Sequence, residues 1–449
     1  MCLATDLLIQ SGELLAENWL RAKESVVLFR YCSAQCVLLS DYTKPKTYTV
    51  DALLLYFYCE LLRFRDTNFG LDVVLAIILR VAMRMGYHRD PSLYPNISIF
   101  AGEMRRRLWG LLIQLDILVS LQVGLPRLIN DNDSDTKPPR NIPEEEMDPG
   151  MTVLPAPQSD SSGAVPSYMR ARTKLVSVLG LIHGHVTSVH PMPYETVIQL
   201  HEMLISQHDA LPTSLKVRKC PLVTDSAAVV MRRLSLDLLF QKSRCVLHRR
   251  YMKLEKRLSW ETCIDAALMI IRHQSYVYRE TQTGGVLSGH LWKIIYLATY
   301  DFLLASMLLC LGIHWGIDPD PSVSPAIGLD LNSQQPAALL RAMEDSYMIW
   351  ADWCSVMKET RRVLDIVKIM LDRVKRRRAS EGQAKQNAMD PANTVHNDFG
   401  MYHRSHLMHF IDSIFFRYGS IFQWQYNLFY STTRSFKYNK RALFIASHR

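Results

Sequence analysis

The chain has 449 residues, of which 48% are hydrophobic and 21% charged, a balance that permits a sizeable core and excludes an intrinsically disordered or fibrous polypeptide. Its net charge of +9 (52 − 43) is modest for this length and does not by itself imply nucleic-acid contact. The nine cysteines (2, 32, 36, 59, 220, 245, 263, 310 and 354) are scattered, most of them inside apolar helical patterns, which argues against a disulfide framework and for reduced, buried, intracellular thiols.

Met1 to Gln10 lacks a secretory leader's pattern, since Asp6 interrupts it. Residues 13–66 read as several helices without a catalytic pattern. Cys32 and Cys36 share a helix face, but zinc would need two more ligands and none lies nearby. Beyond them, Leu71, Val74, Leu75, Ile78, Ala82 and Met85 recur at the three-and-four spacing of one helix face, with Asp72, Arg80 and Arg84 on the other. Gly86 stands where a positive φ closes a helix, and His88-Arg89-Asp90-Pro91 turns the chain.

From Leu108 to Leu121 the next helix is apolar on almost every side, so other helices should wrap it. Asp116 is its odd residue. A carboxylate buried there without a partner costs several kcal/mol, so it must find a cation or backbone amides, with Arg105, Arg106, Arg107 and Arg127 as candidates. No histidine or second carboxylate lies at helical spacing from it, which favours a structural ion pair over a catalytic acid. Pro126 stops the helix after Gly124 has allowed a tight turn.

Together, Glu103, Arg105-Arg106-Arg107-Leu108-Trp109, Asp116, Gly124-Leu125-Pro126 and the later Pro-Pro-Arg-Asn-Ile-Pro run resemble the signature of the fungal-specific transcription factor domain, the all-helical middle region of fungal zinc-cluster regulators. The Ala-Met-Arg-Met-Gly-Tyr-His-Arg-Asp-Pro approach is similar as well. Leu125 departs from the pattern, where the family usually has arginine. A zinc binuclear cluster needs six cysteines in closely spaced pairs among lysines and arginines, and these 449 residues do not hold that set.

Seven prolines and an acidic set (Asp131, Asp133, Asp135, Glu144, Glu145, Glu146, Asp148) make 127–166 a solvated loop, without the glycine turn and terminal glutamate of a calcium loop. Helices resume at Ser167. His183, His185 and His190 invite a metal reading, but i,i+2 spacing does not put two imidazoles on one helix face. Between Val230 and Tyr251 the residues Leu236, Leu239, Phe240, Val246, Leu247 and Tyr251 form a stripe.

The run from Cys245 to Met252 and the following Ser259-to-Ala267 segment also resemble the family domain. Ser259 reads as an N-cap, and Cys263, Ala266, Ala267 and Ile270 as a small-residue packing face; His248 has no nucleophile at a defined offset and reads as structural. Leu291 to Ile317 is the best membrane candidate, but Lys293 and Asp301 break it, so a buried core helix is expected, with Tyr300 to Ala305 resembling the family's last long core helix. A second loop at 317–336 precedes a helix pair ending near Val374. Arg361 to Arg378 carries eight cations against two acids, and Lys375, Arg376, Arg377 and Arg378 form a candidate nuclear import cluster that could equally be a solvated helix end. Residues 401–449 are crowded with aromatics and interleaved cations, a pattern that suits stacking on single strands or docking on the chain's own domain.

No phosphate-cradling glycine loop, Gly-x-Ser-x-Gly elbow or His-Glu-x-x-His occurs, and strand-like alternation is scarce. The expected fold is all-α: a large domain of antiparallel helix pairs over 1–374, a basic, polar linker over 375–400 and a separate tail over 401–449. The resemblance implies a nuclear, non-enzymatic transcription regulator of metabolic or secondary-metabolite genes, working with protein partners of the transcription machinery and a small-molecule effector, and with homodimerisation left open. It implies DNA contact, and zinc, only through a cluster module outside these residues or through a partner. A helical coregulator or scaffold derived from the family is the alternative, and an unfamiliar helical enzyme a remote one.

Overall fold

The computed structural model describes residues 16–63, 69–158, 165–190, 193–218, 225–252, 256–316, 335–356 and 361–388. Among them are eleven α-helices and no strand. They are α1 (Ala16–Leu39), α2 (Thr49–Arg63), α3 (Phe69–Arg84), α4 (Ile99–Val123), α5 (Val165–Thr187), α6 (Tyr194–Asp209), α7 (Ala227–His248), α8 (Arg257–Glu280), α9 (Leu291–Gly316), α10 (Gln335–Val356) and α11 (Arg361–Ala388). The loop expected at 317–336 and the tail at 401–449 lie, apart from the first residues of α10, outside the described residues. The basic segment from 375 continues α11 as far as Ala388.

Local chemistry sets the helix ends. On α3, Leu71, Leu75, Ile78 and Ala82 are buried and Arg80 and Arg84 exposed, as their spacing requires; Leu79 joins the buried set. Its C-terminus closes with Gly86 at φ 78°, the Tyr87 N–H reaching the Ala82 carbonyl (3.0 Å) and the Gly86 N–H that of Met83 (3.0 Å). Ser98 caps α4, accepting from the Ala101 N–H at 3.2 Å, and Gly124 ends it at φ 71°.

Two hydrophobic cores are joined by α7. Leu236, Leu239, Phe240, Val246 and Leu247 face the first, built from α2 to α6 with Trp109, Phe57 and Leu75 among its fully buried members. Val230, Met231, Leu234, Leu238 and Cys245 face the second, built with α8 to α11 around Phe302, Trp350 and Trp353. Each buried Leu, Ile or Phe contributes about 1.5–3 kcal/mol. Between the cores runs a polar seam. The Arg172 Nη1 donates to Tyr168 Oη and Ser235 Oγ (both 3.1 Å), and the Lys242 Nζ lies 3.4 Å from the Asp301 carboxylate. The apolar helix expected around Asp301 is accordingly buried in the second core, and no helix among the described residues is long and apolar enough to cross a membrane.

Cys263, Ala266, Ala267 and Ile270 form the close-packed face of α8 as their small size suggests. Ser259 is not an N-cap: α8 starts two residues earlier at Arg257, and Ser259 is buried inside its first turn. At Gly180, α5 lies tight against α4, so that an added Cβ would sit 2.9 Å from Ile117 Cδ1 and 3.0 Å from Arg127 Nη1. Gly180→Val is therefore expected to cost about 1–3 kcal/mol by overpacking. Urea midpoints read this, and an unchanged midpoint would show that the two helices separate freely.

Candidate functional site

The signature residues gather where α4 meets the turn after α3 and the loop after α4. Each arginine of the Arg105-Arg106-Arg107 run has a different target, because successive residues on a helix point about 100° apart. Arg105 lies 4.7 Å over the Tyr87 ring and donates to the Met85 carbonyl (3.2 Å). Arg106 forks onto Asp90 at 3.0 and 2.8 Å. Arg107 donates to the Ile142 carbonyl at 2.6 Å. Asp90 also accepts from the Ser92 N–H (3.0 Å), the Ser92 hydroxyl (2.6 Å) and the Lys137 N–H (3.0 Å). The Arg106 guanidinium, aided by these donors, holds its carboxyl far below the usual carboxylate range.

Glu103 is fully buried, accepts from the Arg140 N–H at 2.9 Å and lies 3.5 Å from Arg107; burial pushes its carboxyl up despite these contacts. Trp109 is also fully buried. Its indole N–H donates to Ser134 Oγ (2.7 Å), whose hydroxyl donates to the His88 carbonyl (3.0 Å). One tryptophan thereby ties the exit loop to the turn before the helix.

Asp116 finds backbone amides. It accepts from the N–H groups of Leu128 and Ile129, both at 3.0 Å, with Arg127 Nε at 3.8 Å. Burial pushes its carboxyl up, while the two amides and Arg127 pull the other way. Of the four arginines expected as partners, only Arg127 approaches; Arg105, Arg106 and Arg107 lie on other faces of α4 and are engaged as above. Gly124 and Pro126 turn the chain so that the following amides reach back to Asp116, and the Leu125 carbonyl left by the turn bonds His183 Nε2 at 2.8 Å. The histidine pair divides as its spacing implies, with His185 Nε2 bonding the Tyr251 hydroxyl at 3.0 Å. Among the described residues no group of three or more His, Cys, Asp or Glu side chains could hold a metal ion. The site is a set of staples for loops, and its carboxylates carry hydrogen bonds to backbone amides.

Sequence reasoning missed three buried polar clusters whose members lie far apart in the chain. A hydroxyl does stand beside His248. Ser259 Oγ is 2.9 Å from its Nδ1 and 2.8 Å from the Tyr194 hydroxyl, while His248 Nε2 meets His201 Nδ1 at 2.9 Å. Ser259 and His248 are both fully buried, which shields this serine from substrate and makes the chain a clamp between α6, α7 and α8. Asp237 receives His273 and, at 3.4 Å, His208; burial pushes its carboxyl up but the two histidines outweigh this and hold it below the usual range. The third cluster is the seam of Arg172, Lys242 and Asp301. Spacing along the chain carries no signal for any of them.

These clusters predict sensitivity to acid. Burial, with the neighbouring His201 and Arg244, holds His248 down at about 3 against an ordinary 6.5, so the unfolded chain takes up its proton first. Stability from this group is complete above pH 6.5 and is lost as pH falls through that value, with Asp90 and Asp237 adding a further loss below about pH 4. Urea midpoints at pH 7.5, 6.0 and 5.0 should decline, and less steeply in His248→Gln. A flat profile would mean that the histidine is already charged in the fold.

The class the fold defines is a helical body in which arginines, a tryptophan and an aspartate fasten the loops around one buried helix. Residues 21–218 match the family described as the fungal specific transcription factor domain, and the chain carries that domain. Over 361 residues the chain is 37% identical to the Zn(2)-C6 fungal-type transcription factor pigI of Monascus ruber, covering 79% of this chain and 44% of that protein. It is 36% identical over 362 residues to the Zn(2)-C6 fungal-type transcription factor mpsB of Macrophomina phaseolina (79% and 49%), and 28% identical over 385 residues to the equisetin cluster transcription factor eqxF of Fusarium heterosporum (83% and 54%). The chain thus spans about half the length of the curated relatives it matches. No solved structure matches it. The family and these relatives are transcription factors by name.

Proposed function

We propose that this chain is the helical regulatory part of a nuclear transcription regulator that controls a set of secondary-metabolite genes. The observation that carries the reading is the continuous similarity, over 361 residues, to a fungal-type transcription factor, which runs well past the matched family domain at 21–218. The geometry supports it. Asp116, Glu103 and Arg107 are spent on loop backbone and Arg106 on the Asp90 carboxylate, so the signature builds a scaffold and offers no reacting group.

Such a body acts by being bound. Protein partners of the transcription machinery, or a small-molecule effector, would shift it between masked and active populations by binding one arrangement more tightly. DNA is reached through a zinc-cluster module outside these residues or through a partner, and zinc belongs there. Lys375 to Arg378 suits an import signal: Arg376 is exposed at the end of the described side chains of α11, while Lys375 pairs with Glu344 at 2.8 Å.

The test is to tag the chromosomal gene, follow the protein in the cell, map promoter occupancy and compare transcripts with a deletion strain. The expected result is nuclear signal, occupancy at promoters of one biosynthetic cluster and at least a several-fold change in its transcripts. Nuclear signal and changed transcripts without occupancy would favour the coregulator reading. An extranuclear protein whose loss leaves transcripts unchanged would overturn both.

A further inference from the structure

Two adjacent cations, one further residue and a serine recur three times in the chain: Arg232-Arg233-Leu234-Ser235, Lys256-Arg257-Leu258-Ser259 and Arg377-Arg378-Ala379-Ser380. A protein kinase whose substrate groove is lined with carboxylates reads this spacing in an extended segment, because each cation meets an acid while the hydroxyl reaches the phosphate donor. The fold separates the three. Ser235 is buried in the polar seam, where its hydroxyl meets Tyr168 Oη at 2.8 Å and accepts from Arg172 Nη1 at 3.1 Å. Ser259 is fully buried between His248 and Tyr194. Neither reaches a kinase unless a core helix unfolds.

Ser380 stands elsewhere. Among the described side chains, the last that α11 gives to the second core is Val374, and the helix runs on to Ala388. From 375 to 388 the sequence holds no Val, Leu, Ile, Met or aromatic residue, and it includes Gly382. A helix end of this composition has little beyond its own backbone bonds to hold it, so it opens readily to the extended form. At helical spacing, position 380 continues the stripe of Ile369, Arg373 and Arg376, all of them exposed.

We propose that Ser380 is the acceptor of a basic-directed serine kinase and that its phosphate shuts the import cluster Lys375 to Arg378. In the transfer, Ser380 Oγ attacks the γ-phosphorus of the kinase's magnesium-bound ATP, the new O–P bond forms as the bond to ADP breaks, and the hydroxyl proton passes to the kinase's catalytic aspartate. The phosphate brings a charge of about −1.5 to −2 to a run of cations in which Lys375 is already paired with Glu344 at 2.8 Å. Arg376 and Arg377 precede it by one helical turn, so the phosphate competes with an acidic receptor for the same guanidiniums. The effect on import rests on Lys375 to Arg378 being an import signal; the choice of acceptor does not.

The full chain is incubated with magnesium-ATP and the catalytic subunit of a cyclic-AMP-dependent protein kinase, and the sites are mapped by tandem mass spectrometry. Phosphate is expected at Ser380 and not at Ser235 or Ser259, and none in Ser380→Ala. Incorporation should be at least about tenfold slower in Arg377→Ala/Arg378→Ala at unchanged helical content. Label at Ser235 or Ser259, none at Ser380, or a rate indifferent to the double variant would overturn the assignment. An immobilised import receptor of the importin-α class then reads the consequence: the phosphorylated chain should bind at least about tenfold more weakly than the unmodified one. Equal binding of the two forms would overturn the shutting of the cluster. An unmodified chain that the receptor does not hold would instead refute the import signal, with Ser380 still standing as the acceptor.

Discussion

Trp109→Ala is expected to destabilise the fold by about 3–5 kcal/mol, because it empties the site of the largest fully buried side chain in the first core and removes the indole donor as well. The hydrogen bond to Ser134 carries much of the consequence. Ser134 in turn holds the His88 carbonyl, so the loop after α4 and the turn after α3 lose a shared tie along with a packed ring. Trp109→Phe keeps most of the volume and drops only the donor, and should cost about 1–2 kcal/mol. Urea unfolding of the two variants separates packing from the hydrogen bond. Equal losses would mean that the N–H does everything; a negligible loss for alanine would place the side chain outside the core.

Asp116→Ala should be nearly as severe, for a different reason. The methyl group leaves the Leu128 and Ile129 amides without their acceptor, at about 1–3 kcal/mol for each buried donor. Asp116→Asn retains one carbonyl and removes a charge that burial already disfavours, so it should be distinctly milder. Hydrogen exchange at residues 128 and 129 supplies the local readout: protection should fall strongly in the alanine variant and partly in the asparagine one. Unchanged protection in Asp116→Ala would refute the capping role, and full-length unfolding curves would then show where the carboxylate acts instead.

Helix identity was legible wherever burial repeats along the chain. The spacing of Leu71, Leu75, Ile78 and Ala82 marks one face of α3, and Gly86 and Gly124 mark ends because each occupies a positive φ that other residues resist. The wrapped character of the helix carrying Trp109 and Asp116 also follows from composition, since a segment apolar on all sides must be enclosed. What hydrogen-bonds to a buried polar group did not follow. Asp116 is satisfied by amides twelve and thirteen residues on, and nothing in the sequence distinguishes that outcome from an arginine partner. The Ser259 error has the same origin. Serine before an apolar run resembles a cap, yet here the hydroxyl is claimed by His248 and Tyr194, which arrive from α7 and α6. Long-range partners of this kind depend on packing, which a single chain's spacing does not encode.

The sharing of α7 between two cores decides where the protein can be cut. The matched family segment closes at residue 218, nine residues before that helix begins, so a fragment trimmed there would keep Leu175 and Leu179 of α5 while discarding Leu236, Leu239 and Leu247 that roof them. Retaining α7 but stopping at its end merely moves the wound, baring Val230, Leu234 and Leu238 instead. The smallest portion that hides both flanks of this helix extends to α11, and boundaries drawn from similarity alone divide what folding joins.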